Sequence, residues 1–362
     1  MRLVVFLSHT ASRTGAPLIL LHLLRAARTR FDCRLVLGED GPLGSSFRAA
    51  VPTLVLPAHH DDGPDARPRK TLLAWLDRAS LVYANSAFSH DLLKGVSLKC
   101  PLLSHVHELE MGLANRTVRV PCAGEQRFIA VSEAVRSNLI HQHAISPQAV
   151  TVSYGFAPPA SGEPGPGVES LALAGTGRRP HIVGSIGTLW PYKGPDLFVA
   201  LCQQVLADLG ADPATPRFVW VGGAHEGPEW QKLSALIRDA GISGSIRLIP
   251  EVADVRPFLR QFDVFVSTAR EDPFPLVVLE AAREGKPIVT FDSGGAVEFV
   301  GSTAGVVVHR YDIPQMSRQV TALLRDPGRR ARYGAVAMAR VRSRFGAEAG
   351  VARLVQLIDD LM

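Results

Sequence analysis

Short apolar, β-rich runs recur along the chain, each closed by polar or glycine-bearing residues. In the first part they are Leu3–Leu7, Arg34–Leu37, Thr53–Leu56, Leu81–Ala84, Leu102–Val106, Phe128–Val131 and Val150–Val152. Further on they are His181–Ile186, Phe218–Val221, Ile246–Ile249, Phe262–Val266, Pro287–Phe291 and Gly305–Val308. Helical or polar stretches lie between them. Gly15-Ala16-Pro17, for example, opens an apolar helix through Leu18, Leu21 and Leu24, and Pro17 suits a first helical turn. This alternation predicts parallel sheets, hence an α/β protein of doubly wound, Rossmann-like domains. Ligands of such sheets lie beyond the carboxyl ends of the strands.

Between Ala157 and Pro180 the rhythm stops. Five Pro and five Gly fall in 24 residues, the composition of a linker. A chain of 362 residues is long for one core, so two domains are expected, residues 1–157 and 181–345, joined by residues 158–180. Domains joined this way can close on a ligand and exclude water.

The stretch Ser267–Val300 concentrates the chemistry. Leu276–Ala282 is apolar except for Glu280, and a carboxylate in such surroundings needs donors to offset its desolvation. Once ionised it only accepts, so the vicinal hydroxyls of a ribose suit it; an i,i+3 pair with Arg283 suits it equally. After the next strand, Ser293-Gly294-Gly295 offers backbone N–H groups and a helix start to an anion, or is simply a turn. Lys193, in Gly187-Thr188-Leu189-Trp190-Pro191-Tyr192-Lys193-Gly194, is a candidate phosphate ligand or a solvent-facing loop lysine. His107 and Glu108 fall just past a strand end, where groups face ligands, and alternation is expected to turn His105 away.

Asp272-Pro273-Phe274-Pro275-Leu276-Val277-Val278-Leu279-Glu280, followed by GKPIVTFDSGGAVEFV, resembles the donor-binding signature of glycosyltransferase family 4. These are retaining sugar-nucleotide transferases of GT-B fold, with two Rossmann-like domains facing across a cleft. That signature has two Glu with seven residues between them, the first usually inside EGFG. Here Asp272 holds the first position with Glu271 before it, so either carboxylate could meet the sugar. By the resemblance Asp272, Phe274 and Pro275 contact the donor sugar. Gly187, Thr188, Lys193, Val252, Glu280, Ser293, Gly294 and Gly295 bind the nucleotide, and Gly15 with Ala16 forms an acceptor-side loop. His107, Asp272 and Glu271 become the catalytic candidates. In the family's GRLxPxKG segment an Arg helps hold the diphosphate; Thr188 stands there in this chain, and Arg270 is the candidate replacement. The last helix, within residues 346–362, is expected to cross back onto the first domain.

The implied activity is transfer of a sugar from a nucleoside diphosphate sugar to an acceptor hydroxyl of a glycan, lipid or small molecule, with no metal or other cofactor. UDP-sugar and GDP-sugar are the expected donors. A sugar-nucleotide epimerase of the same architecture, or a non-catalytic sugar-nucleotide or glycan binding protein, remain alternatives. Composition narrows the setting. Hydrophobic residues at 46% and charged residues at 20% exclude disorder. No apolar run approaches the ~20 residues needed to span a bilayer, so a cytoplasmic protein is expected. Cys33, Cys100, Cys122 and Cys202 form no CxxC pair, and His59-His60-Asp61-Asp62 lacks a spaced third partner, so no metal site is predicted. The net charge of +5 includes Arg329, Arg330, Arg332, Arg340, Arg342 and Arg344, read as a solvated helix face before a peripheral membrane contact. Without interleaved aromatics, nucleic-acid binding is not expected.

Overall fold

The computed structural model describes residues 1–56, 67–158, 171, 179–210 and 215–362. It divides into two compact units, Met1–Pro158 with Gly346–Met362, and Pro159–Phe345. The pair His59-His60 and most of the Pro/Gly-rich stretch lie outside the described residues.

Unit 1 is built on the strands β1 (Leu3–Ser8), β2 (Asp32–Leu37), β3 (Thr53–Val55), β4 (Leu81–Asn85), β5 (Leu102–Val106), β6 (Gln126–Ala130) and β7 (Val150–Val152). They pair in parallel in the order β3-β2-β1-β4-β5-β6-β7. Both faces of such a sheet are covered by helices, which is why β4 and β5 are buried along their whole length. Helix Gly15–Ala27 buries Ile19, Leu20, Leu23 and Leu24. Helix Ala347–Asp360 packs beside it, and its Asp359 is paired with Arg2 at 2.8 Å and Arg30 at 2.5 Å. Ala157 bridges Gly346, so the chain leaves this unit and re-enters it at adjacent points.

Unit 2 repeats the plan with β8 (Ile182–Ile186), β9 (Arg217–Val221), β10 (Ile246–Ile249), β11 (Val264–Ser267), β12 (Ile288–Phe291) and β13 (Gly305–Val308). Their parallel order is β10-β9-β8-β11-β12-β13. Strand order reverses between β8 and β11. At that switch point the connections leave in opposite directions and open a crevice at the carboxyl ends.

The arginine-rich helix Pro327–Arg344 is only partly a solvated face. Arg330 donates to the carbonyls of Leu323 and Leu324 at 2.6 and 2.7 Å, capping the helix before it. Arg340 does the same for Phe299 and Val300 and reaches Thr303 Oγ1 at 2.7 Å. Arg332, Arg342 and Arg344 are exposed. Among the described residues no helix is long and apolar enough to cross a membrane. All four cysteines are free.

Candidate active site

The loops after β8, β11 and β12 are sewn together by hydrogen bonds to main-chain carbonyls at the switch point of unit 2. Arg270 N–H donates to Tyr192 O at 2.8 Å, and Thr268 Oγ1 donates to Gly194 O at 2.8 Å. Gly194 has φ +67°, and a Cβ there would collide with the carbonyl of Thr268, so only glycine lets these loops meet. On the other side Asp272 N–H donates to Ser293 O and Gly295 N–H to Asp272 O, both at 3.0 Å. A Cβ on Gly295 would strike the Pro273 carbonyl. Gly295 thus spends its amide on the neighbouring loop, and the helix it opens, Ala296–Val300, has only five residues. This close approach of loops, rather than an anion at a helix start, explains the second glycine.

Two side chains meet within this frame. Lys193 Nζ lies 2.5 Å from Asp272 Oδ2, and Asp272 is 5% exposed. Burial works against the lysine's charge, but Asp272 outweighs it and holds the ammonium above the usual lysine range. Glu271 is half-buried, and its N–H donates to Tyr192 O at 3.3 Å. Arg270, the expected replacement for the missing phosphate-binding Arg, is committed elsewhere: its guanidinium donates to both carboxylate oxygens of Asp196 at 2.7 and 2.5 Å and to Pro191 O at 2.8 Å. It braces the Lys193 loop. Thr188, where the family has Arg, keeps a buried hydroxyl with no hydrogen-bond partner among the described residues. Gly187 is pinned at both ends, its N–H to Val221 O and its carbonyl to the Trp220 indole, each at 3.0 Å.

Glu280 sits on helix Leu276–Arg283, whose apolar face buries Val278, Leu279, Ala281 and Ala282. The acid is half-buried and makes no hydrogen bond or ion pair among the described residues. Desolvation pushes its pKa up to about 7; Arg283 pulls it down, and Asp254 pushes it up further. Asp254 itself binds Arg256 in a fork, 2.8 Å to each oxygen. It follows half-buried Val252 in the loop after β10, so Glu280 and that loop share one corner of the unit. Phe274, expected at the sugar, is 7% exposed and stacks on Phe345 at 5.6 Å, so its ring packs the loop instead. Pro275 is buried at the start of the Glu280 helix.

In unit 1, the carboxyl ends of β1 and β5 collect histidines. The expectation that His105 turns away fails because residues two apart in an extended chain share a face. The His105 and His107 rings lie 4.1 Å apart. His105 Nδ1 bonds Tyr83 Oη at 2.6 Å, while His107 Nε2 is buried without a partner among the described residues. Burial, reinforced by His9, lowers the pKa of His107 to about 3. His9, directly after β1, was not singled out by its sequence; burial lowers it to about 4. Glu108 accepts from Ser86, from Ala87 N–H at 3.1 Å and from His107 N–H at 3.0 Å. Gly15 and Ala16 start a helix whose N-cap, Thr14, makes no side-chain cap.

Residues 175–340 match the family described as Glycosyl transferases group 1. The chain is 29% identical over 226 residues to the lipopolysaccharide core biosynthesis mannosyltransferase LpcC of Rhizobium leguminosarum bv. viciae, covering 61% of this chain and 60% of that protein. It is 27% identical over 214 residues to the D-inositol 3-phosphate glycosyltransferase of Gordonia bronchialis, covering 58% and 46%. The match thus spans about half the length of these relatives. Among solved structures, Anabaena Alr3699/HepE in complex with UDP-glucose aligns over 100% of both chains with a TM-score of 0.79 at 20% identity. WaaG, a glycosyltransferase involved in lipopolysaccharide biosynthesis, aligns over 98% of this chain and 99% of its own with a TM-score of 0.71 at 11% identity. These likenesses show the fold, two Rossmann-like α/β units of GT-B type.

Proposed function

We propose that the chain is a retaining glycosyltransferase of family 4 that moves a sugar from a nucleoside diphosphate sugar to an acceptor hydroxyl without a metal ion. The observation that carries this is Glu280, a carboxylate set on an apolar helix with no internal donor. Ribose hydroxyls of a bound nucleotide would supply the donors it lacks and favour its ionised form. The Val252 loop beside it then faces the base, and Lys193 faces the diphosphate.

Departure of the diphosphate builds negative charge on the leaving oxygen. A fixed donor aimed at that oxygen is typically worth ~3 kcal/mol of barrier, and Lys193, charged beside Asp272, would be that donor. Asp272 and Glu271 are the acceptors for sugar hydroxyls. In unit 1 the neutral His107, with its unpartnered Nε2, is the group to accept a hydrogen bond from the acceptor hydroxyl and orient it. Retention follows if the acceptor attacks from the face the diphosphate leaves, which needs no protein nucleophile. The acceptor would be a glycan, a lipid-linked sugar or a small polyol, as the names of the relatives illustrate.

A thermal-shift screen with UDP, GDP, ADP and TDP tests the reading, since a ligand at 100 times its dissociation constant adds about 2.7 kcal/mol. One base should stabilise the protein. Its sugar nucleotide should then turn over with chelator present, and only with an acceptor or water consumed. No stabilisation by any of the four, or epimerised donor as sole product, would refute it.

A further inference from the structure

A site that consumes a sugar nucleotide must also let go of the nucleoside diphosphate left behind. The pairing of Lys193 with Asp272 bears on that step. Both loops are anchored: the lysine loop by the Thr268 hydroxyl and the Arg270 N–H, the aspartate loop by Ser293 and Gly295. The two loops are fixed to one another, so the ammonium and the carboxylate, 2.5 Å apart, present a charge sum near zero to whatever arrives.

The two ligands differ at their far end. Free nucleoside diphosphate ends in a phosphate that carries negative charge and, at neutral pH, donates poorly. The sugar nucleotide ends in hydroxyls, which are donors, and an ionised carboxylate is a pure acceptor. Like charges forced together cost several kcal/mol when shielded from water, whereas a hydroxyl on a carboxylate is favourable.

Resting on the sugar-nucleotide reading above, we infer that Asp272 makes this site select the intact sugar nucleotide over the free nucleoside diphosphate. Its carboxylate accepts from sugar hydroxyls and repels the terminal phosphate that competes for Lys193. Asp272 is therefore a specificity-determining group whose cost falls on the product, and product release is its consequence. The near-complete burial of Asp272 suits this role, because water cannot screen the repulsion there.

Calorimetric titration of UDP and UDP-glucose, with GDP and GDP-mannose as the second pair, tests the inference on the full chain. Asp272→Asn should lower the dissociation constant of the free diphosphate about tenfold relative to that of the sugar nucleotide, so that the ratio of the two moves toward product. Asp272→Glu, which keeps the charge, should keep the wild-type ratio. Asp272→Ser gives the same reading as the Asn variant should the latter unfold. An unchanged ratio in the uncharged variants, or a shift in Asp272→Glu equal to theirs, overturns the role of Asp272 and leaves the transferase reading standing. A wild-type protein that binds neither these pairs nor their ADP and TDP counterparts overturns the transferase reading, and this inference with it.

Discussion

Asp196 grips Arg270 from both oxygens, 2.7 Å to Nη1 and 2.5 Å to Nη2, across 74 residues of sequence. Through its third bond, to Pro191 O, the guanidinium ties the strand-end loop of β11 to the loop that carries Lys193. Arg270→Ala should therefore raise the donor KM about tenfold with little effect on the far sheet edges. Arg270→Lys should not rescue it, because an ammonium cannot form the fork. Steady-state kinetics on both variants checks this. Full activity in Arg270→Lys would reduce the pair to a surface contact.

Lys193→Ala removes the counter-charge of a buried carboxylate as well as a phosphate ligand. Breaking a fully buried pair costs about 3–5 kcal/mol, and with the lysine side chain 25% exposed a loss of about 2 kcal/mol is expected. Urea unfolding should show that loss, and transfer should fall below detection. Glu271→Ala should cost activity without the stability loss.

The two units should respond to pH with opposite signs. Glu280 titrates near 7 in the folded protein, above its ordinary value of 4.5. Between those values the unfolded chain has released its proton and the folded one has not, so unit 2 loses stability as pH rises from about 4.5 to 7. At ~1.4 kcal/mol per pKa unit the bound is about 3 kcal/mol, less what water at the half-exposed side chain screens. Glu280→Gln should remove that slope and stabilise the ligand-free protein above pH 7, while lowering transfer.

His9 and His90, near 4, and His107, near 3, are lowered by burial, so the unfolded chain binds their protons first. Unit 1 should lose stability as pH falls below about 6.5. Hydrogen exchange at pH 5 compared with pH 7 should show unit 1 opening more at the lower value. Ring nitrogen spectra should show His107 neutral across pH 5–8; an imidazolium in that window would contradict its burial.

The sheets were legible because their strands are apolar runs closed by polar turns, and each expected run lies on a strand of β1–β13 to within a residue or two. Glu280 was legible for the same reason, a charge where the pattern demands none. Partnership was not. Nothing local in Lys193 or Asp272 announces a contact 79 residues away, nor does Arg270 reveal that Asp196 will claim it. The reading of His105 failed by counting alternation one step wrong. Arg330 and Arg340 looked like solvent-facing charges because helix-end carbonyls awaiting a donor leave no trace in sequence.

Glu280 itself provides the decisive test. Carboxyl carbon NMR with Glu280→Gln as the assignment control should show this group titrating near 7 in the ligand-free protein and below about 5 once the preferred nucleoside diphosphate is bound, as hydroxyl donors favour the charged form. A titration that stays near 7 under saturating nucleotide would mean that no ribose meets this acid, and the sugar-nucleotide site would have to be sought elsewhere.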